Sequence, residues 1–79
     1  MKTNNNPSGK YQHYKTGHLY EVIGFARHSE TYEEMVVYRG LYHCSQFGKN
    51  PVWVRPKEMF MGNVIHNGYL VPRFKKVEE

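Results

Sequence analysis

Residues Arg27-His28-Ser29-Glu30-Thr31 bring a guanidinium, an imidazole, two hydroxyls and a carboxylate into five consecutive positions. His28 can donate or accept a hydrogen bond near neutral pH, Ser29 and Thr31 offer hydroxyls, and Glu30 accepts. Such a set suits a polar binding loop. Turn chemistry competes with that function, because Ser and Thr bond their own backbone in turns and Thr31-x-x-Glu34 has capping-box spacing. A turn has use for Ser or Thr, but it does not require His28 beside them.

Three arginines stand next to aromatic residues in strand-like segments: Tyr38-Arg39, Trp53-Val54-Arg55 and Arg73-Phe74. Strand alternation puts Trp53 and Arg55 on one face. Arg39 interrupts an apolar face, which is costly unless the guanidinium finds a partner. Guanidinium forks fit phosphate or carboxylate bidentately, and an aromatic face can stack on a base or on Arg itself. Internal pairing with Glu21, Glu30, Glu33 or Glu34 is the competing role. The candidate ligand-binding set is therefore His28, Ser29, Glu30, Thr31, Arg39, Trp53, Arg55 and Arg73, with His28, Arg39, Trp53 and Arg55 expected on one side of the fold.

No catalytic residue, metal ligand or cofactor is assigned. The five histidines (His13, His18, His28, His43 and His66) lack chelate spacing, and Cys44 is the one sulfur ligand of the thiol type. His43 beside Cys44 does not place a base in space. A triad of His28, Ser29 and a glutamate fails because sequence neighbours rarely face each other.

The elements that must hold these residues read as β throughout. Lys10–Tyr14 alternates, and Lys15-Thr16-Gly17-His18 is a turn. Leu19–Arg27 is a long strand with Leu19, Glu21, Ile23, Phe25 and Arg27 on one face and Tyr20, Val22, Gly24, Ala26 and His28 on the other. Met35–Tyr42 is a second long strand. His43–Pro51 is a polar loop, Val52–Arg55 a short strand, and Lys57–Phe60 one 3₁₀ turn. Val64-Ile65 and Tyr69–Phe74 flank His66-Asn67-Gly68, and Asn-Gly between apolar runs is a strong hairpin signal. Neither long strand divides cleanly into apolar and polar faces, which favours a curled sheet. These features predict an all-β fold, a small antiparallel β-barrel of five to six short strands.

At 79 residues the chain makes one domain. Its seven Tyr, four Phe and Trp53 are how so short a chain can fill a core. Residues 1–8 read as a disordered polar tail, 9–76 as the barrel, and 77–79 as a disordered end. The single cysteine excludes an intramolecular disulfide framework. No apolar run approaches the length of a bilayer, and Met1–Lys10 lacks a signal-peptide core, so a soluble cytoplasmic protein without a membrane partner is expected. The net charge of +4 permits an anionic partner, but the charge is spread rather than run together.

The chain resembles the small bacterial proteins of the domain-of-unknown-function family DUF1653 from about Gly9 to Phe74. The resemblance rests on His13-Tyr14-Lys15, Tyr20-Glu21-Val22, Ala26-Arg27-His28-Ser29-Glu30-Thr31, Glu34 and Val36-Val37-Tyr38-Arg39. It continues through Leu41-Tyr42, Trp53-Val54-Arg55-Pro56, Phe60 and Pro72-Arg73-Phe74. It implies an SH3-like β-barrel and carries no established activity. Thr16 reads as an insertion, the loop between Tyr42 and Trp53 is long and carries Cys44, and Gly62-Asn63 stands where an acidic residue is expected.

Three function classes follow. The first is a small binding module for a compact anionic or nucleotide-like ligand, or for a protein segment. The second is a nucleic-acid binder of SH3-like or OB-like type, although no Lys/Arg tract is present. The third is a small enzyme using His28 and Glu30 as acid and base, against which stands the little room available for a deep pocket.

Overall fold

The computed structural model describes residues 9–77 of the chain. The strands in chain order are β1 (Gly9–His13), β2 (Leu19–Arg27), β3 (Glu34–Gly40), β4 (His43–Cys44), β5 (Gly48–Lys49) and β6 (Val52–Pro56). The helix α1 (Lys57–Met61) follows, then β7 (Asn63–His66), β8 (Tyr69–Pro72) and β9 (Phe74–Val77). The fold is all-β and antiparallel, as expected. Lys57–Phe60 belongs to a five-residue α-helix rather than a 3₁₀ turn. Val77 ends β9 instead of joining a disordered end; residues 1–8 and 78–79 lie outside the described residues.

The main sheet runs β6-β3-β2-β1-β9. The expected closed barrel is not formed: β6 and β9 do not pair, and the sheet remains open. Two sequence features oppose closure. Pro56 ends β6 with a residue that has no N–H to give a ladder. The Tyr69–Phe74 run is divided at Arg73, so β8 pairs with β7 in a separate hairpin while β9 pairs with β1. Phe60 of α1 packs inside instead, between Tyr11, Tyr38 and Phe74. Buried Tyr11, Tyr20, Val36, Tyr38, Phe60 and Phe74 form the core, so aromatic rings do supply most of its bulk.

The mixed faces of β2 have a local cause. Val22 pairs with Tyr38 and Gly24 with Val37, so Ile23 is the extra residue of a β-bulge. A one-residue slip reverses which face each side chain takes. Tyr20 and Val22 point to the core before the bulge, and Phe25 does so after it, opposite buried Val36. The expectation that Phe25 shares a face with Glu21 is thereby corrected.

The loop His43–Pro51 is not wholly irregular, since β4 and β5 make a small hairpin within it. The Asn67-Gly68 hairpin forms as the sequence predicts. Both residues have positive φ, 53° and 83°, as a type I′ turn requires. Among the described residues no helix is long and apolar enough to cross a membrane.

Candidate functional site

The loop between β2 and β3 is built mainly by hydrogen bonds to itself. His28 Nδ1 accepts from the backbone N–H of Glu30 at 3.1 Å and of Thr31 at 3.3 Å. The His28 carbonyl accepts from Tyr32 N–H, and His28 N–H donates to the Glu33 carbonyl. The imidazole thus takes the part that an Asn or Asp side chain plays in an Asx turn. Because Nδ1 accepts, the neutral ring carries its proton on Nε2. Thr31 Oγ1 accepts from Glu33 N–H at 3.2 Å, a turn bond, and a strand rather than a helix follows, so Thr31 and Glu34 form no capping box. Arg27 Nη1 donates to the Tyr32 carbonyl at 2.6 Å. His28, Ser29, Glu30 and Thr31 are all exposed.

The three arginines part company. Glu21 and Arg39 are direct cross-strand partners, and their side chains meet at 3.6 Å on the outer face of the sheet. Trp53 lies opposite Tyr38, and Arg55 opposite Val36, on the inner face. Trp53 and Arg55 are therefore brought together, whereas Arg39 points away from both and has found a carboxylate. Arg55 Nε donates to the Tyr38 hydroxyl at 3.2 Å, and its guanidinium sits 5.5 Å from the centre of the Phe74 ring. Arg73 Nε donates to the Met59 carbonyl at 3.0 Å. Among the described residues neither Arg55 nor Arg73 pairs with a carboxylate. Trp53 Nε1 is buried without a hydrogen-bond partner, beside the perpendicular ring of Phe47 at 5.5 Å.

His13 joins this region although the residue pattern alone did not single it out. It lies opposite Phe74 in the β1–β9 ladder, with its ring edge-on to Phe74 at 5.0 Å. Its pKa is lowered by burial first, then by Arg55, Arg73, Lys15 and His18. Four cationic or potentially cationic side chains thus act on one half-buried imidazole. The one available signal was sequence proximity, His13-Tyr14-Lys15 followed by His18. Deeper in, burial followed by the Tyr42 hydroxyl 3.4 Å away pushes the Tyr20 phenol far above its ordinary pKa, so it is neutral.

A cavity of about 490 Å³ beside α1 is lined by Glu33, Glu34, Lys57, Glu58, Met61 and Gly62. None of the eight residues singled out from the sequence lines it. Lys57 bridges to Glu34 at 3.6 Å there and sits over the Phe25 ring. Among the described residues no group of three or more His, Cys, Asp or Glu could hold a metal ion.

No curated protein gives a significant match. A solved structure does: a crystal structure of a DUF1653 protein from Bordetella bronchiseptica superposes with a TM-score of 0.79. It is 34% identical, over 92% of this chain and 88% of that one. The sequence pattern of the family described as "Protein of unknown function (DUF1653)" matches residues 9–76, and the chain belongs to that family.

Proposed function

We propose that the protein is a small binding module for a compact anion, held at Arg55 and Arg73 beside Trp53. One observation supports this: both guanidiniums are held by neutral groups, a phenol and a peptide carbonyl, and among the described residues no carboxylate pairs with either. Arg39, by contrast, even with an exposed side chain has a carboxylate partner in Glu21. An arginine fixed in place but left uncompensated is prepared for a ligand that brings the negative charge. The orphaned Trp53 Nε1 adds a donor that a ligand oxygen would satisfy after Phe47 moves aside. His28 and the loop around it are committed to their own turn. Titration of the labelled protein with inorganic phosphate, followed by amide and Arg Nε resonances, tests the proposal. Saturable shifts at Arg55 and Arg73 that vanish in Arg55→Ala are expected, and their absence at millimolar phosphate overturns it.

A second reading, binding of a single nucleic-acid strand, draws support from the exposed rings of Tyr32, Phe47 and Tyr69 on a chain of net charge +4. Anisotropy with a labelled oligonucleotide would then show affinity that falls steeply with salt. Absence of binding at low salt removes this reading.

A further inference from the structure

A second cleft, of about 450 Å³, opens at the end of β1 and is lined by Gln12, His13, Tyr14, Gly17, His66, Val71, Pro72 and Lys75. Its volume falls in the range of small-molecule sites. Three features set its chemistry. First, among the described residues no carboxylate lines it, while Lys75 and two imidazoles do. Second, it carries a cluster of rings in contact: His13 and Tyr14 tilted at 4.9 Å, and Tyr14 and His66 edge to face at 5.2 Å and 77°. His66 is exposed, so this cluster ends in a ring surface open to solvent. Third, the donor at its inner end has a fixed direction. His13 Nδ1 accepts the Lys15 N–H at 3.2 Å, which leaves Nε2–H as the donor of the neutral ring.

We propose that this cleft binds a nucleoside monophosphate, its phosphate held by Lys75 and His13 and its base stacked on the exposed His66 ring, against the edge of Tyr14. The proposal rests on the reading of the protein as an anion-binding module but places the ligand's body outside the Arg55–Trp53 region. A bare inorganic anion would use the cations and leave the rings idle. An uncharged aromatic would use the rings and leave the cations uncompensated. A phosphate joined through a sugar to a planar base uses both. Arg55 and Arg73 lie close enough to act electrostatically on His13, as do Lys15 and His18, so the field at the inner end of the cleft favours negative charge. A bound phosphate offsets those cations and removes part of what disfavours the imidazolium.

The test is an amide-resonance titration of the whole chain with adenosine monophosphate, inorganic phosphate and adenosine in parallel. Adenosine monophosphate should shift Gln12–Gly17, His66 and Lys75 saturably, bind at least tenfold more tightly than either fragment, and raise the His13 pKa. Lys75→Gln changes an exposed side chain, so it should keep the wild-type melting temperature and weaken binding at least tenfold. His66→Ala should weaken adenosine monophosphate and leave phosphate unchanged. Phosphate binding as tightly as the nucleotide overturns the stacking part of the proposal. Nucleotide shifts confined to Trp53, Arg55 and Arg73 overturn the cleft while sparing the anion-binding module. An absence of shifts with all three probes overturns both.

Discussion

Phe60 and Phe74 lie face to face, with ring centroids 4.2 Å apart and planes 9° from parallel. Phe60 comes from α1 and Phe74 from β9, an outer strand of the open sheet. Their contact, with Tyr38 and Tyr11 around it, does by packing what strand pairing would do in a closed barrel.

Phe60 is 1% exposed, so Phe60→Ala opens a cavity at the junction of helix and sheet. The expected loss is about 3–5 kcal/mol. For a domain of this size each kcal/mol moves Tm by roughly 4–8 °C. A thermal melt should therefore fall by more than ten degrees or fail to show a folded baseline; a drop of only a few degrees would mean that α1 is dispensable to the core.

Arg55→Ala removes one hydrogen bond to Tyr38 and one cation–π contact, each worth about 1 kcal/mol. Its cost should stay below the roughly 3–5 kcal/mol of breaking a buried ion pair, because among the described residues no carboxylate is left stranded. Phosphate binding should be lost. Chemical denaturation paired with a binding titration checks both halves, and a loss of 4 kcal/mol or more, on the scale of a broken buried pair, would make Arg55 a scaffold residue.

Arg39→Ala serves as the contrast. Its side chain and that of Glu21 are 42% and 49% exposed, and exposed pairs contribute about 0–1 kcal/mol. Stability should hardly move and phosphate binding should not change. A denaturant midpoint and the same titration decide it.

Tyr32 is 70% exposed and has φ of 65°. The left-handed region costs a residue with a side chain roughly 1–2 kcal/mol, less for Asn. Tyr32→Asn keeps the backbone bonds to His28 and Arg27 and should raise stability by about 0.5–1 kcal/mol. An unchanged or lower Tm would show that the exposed phenol contributes something the turn does not need.

The lowered pKa of His13 sets a pH dependence. Between its folded value and the unfolded value near 6.5 the unfolded chain binds more protons, so stability rises with pH in that window. It is lost as pH falls from about 6.5 through the folded value. Melts at a series of pH values should show a shallower slope in His13→Gln than in the wild type over that window, and equal slopes would remove His13 as the source.

Local signals were legible in the sequence. The bounds of β2 and the Asn67-Gly68 turn follow directly from residue types, and so does the common face of Trp53 and Arg55. Features that depend on distant partners were not. The bulge at Ile23 leaves no mark in residue type, so Phe25 reads as outward-facing until β3 is beside it. The open sheet follows from the division at Arg73, and Tyr69–Phe74 looks continuous in sequence. Arg39, Arg55 and Arg73 look alike as arginines beside aromatics; only pairing register separates Arg39, opposite Glu21, from Arg55 on the inner face, and Arg73 falls between β8 and β9. His28 reads as superfluous to a turn because the turn acceptors expected from residue type are Asn, Asp, Ser and Thr, whereas here imidazole Nδ1 takes that role, as it does at His13.

The bulge at Ile23 gives β2 two opposite rules for substitution along a single strand. In its first half the even-numbered positions resist polar residues, and beyond Gly24 the odd-numbered position Phe25 does so. Deleting Ile23 would merge the two halves into one alternation in which Tyr20, Val22 and Phe25 still face the core, because Val22 and Gly24 already pair with the consecutive residues Tyr38 and Val37. A one-residue deletion at Ile23 would therefore spare the core side chains and remove the local bend and added twist of the bulge, so the extra residue shapes the strand rather than filling the core.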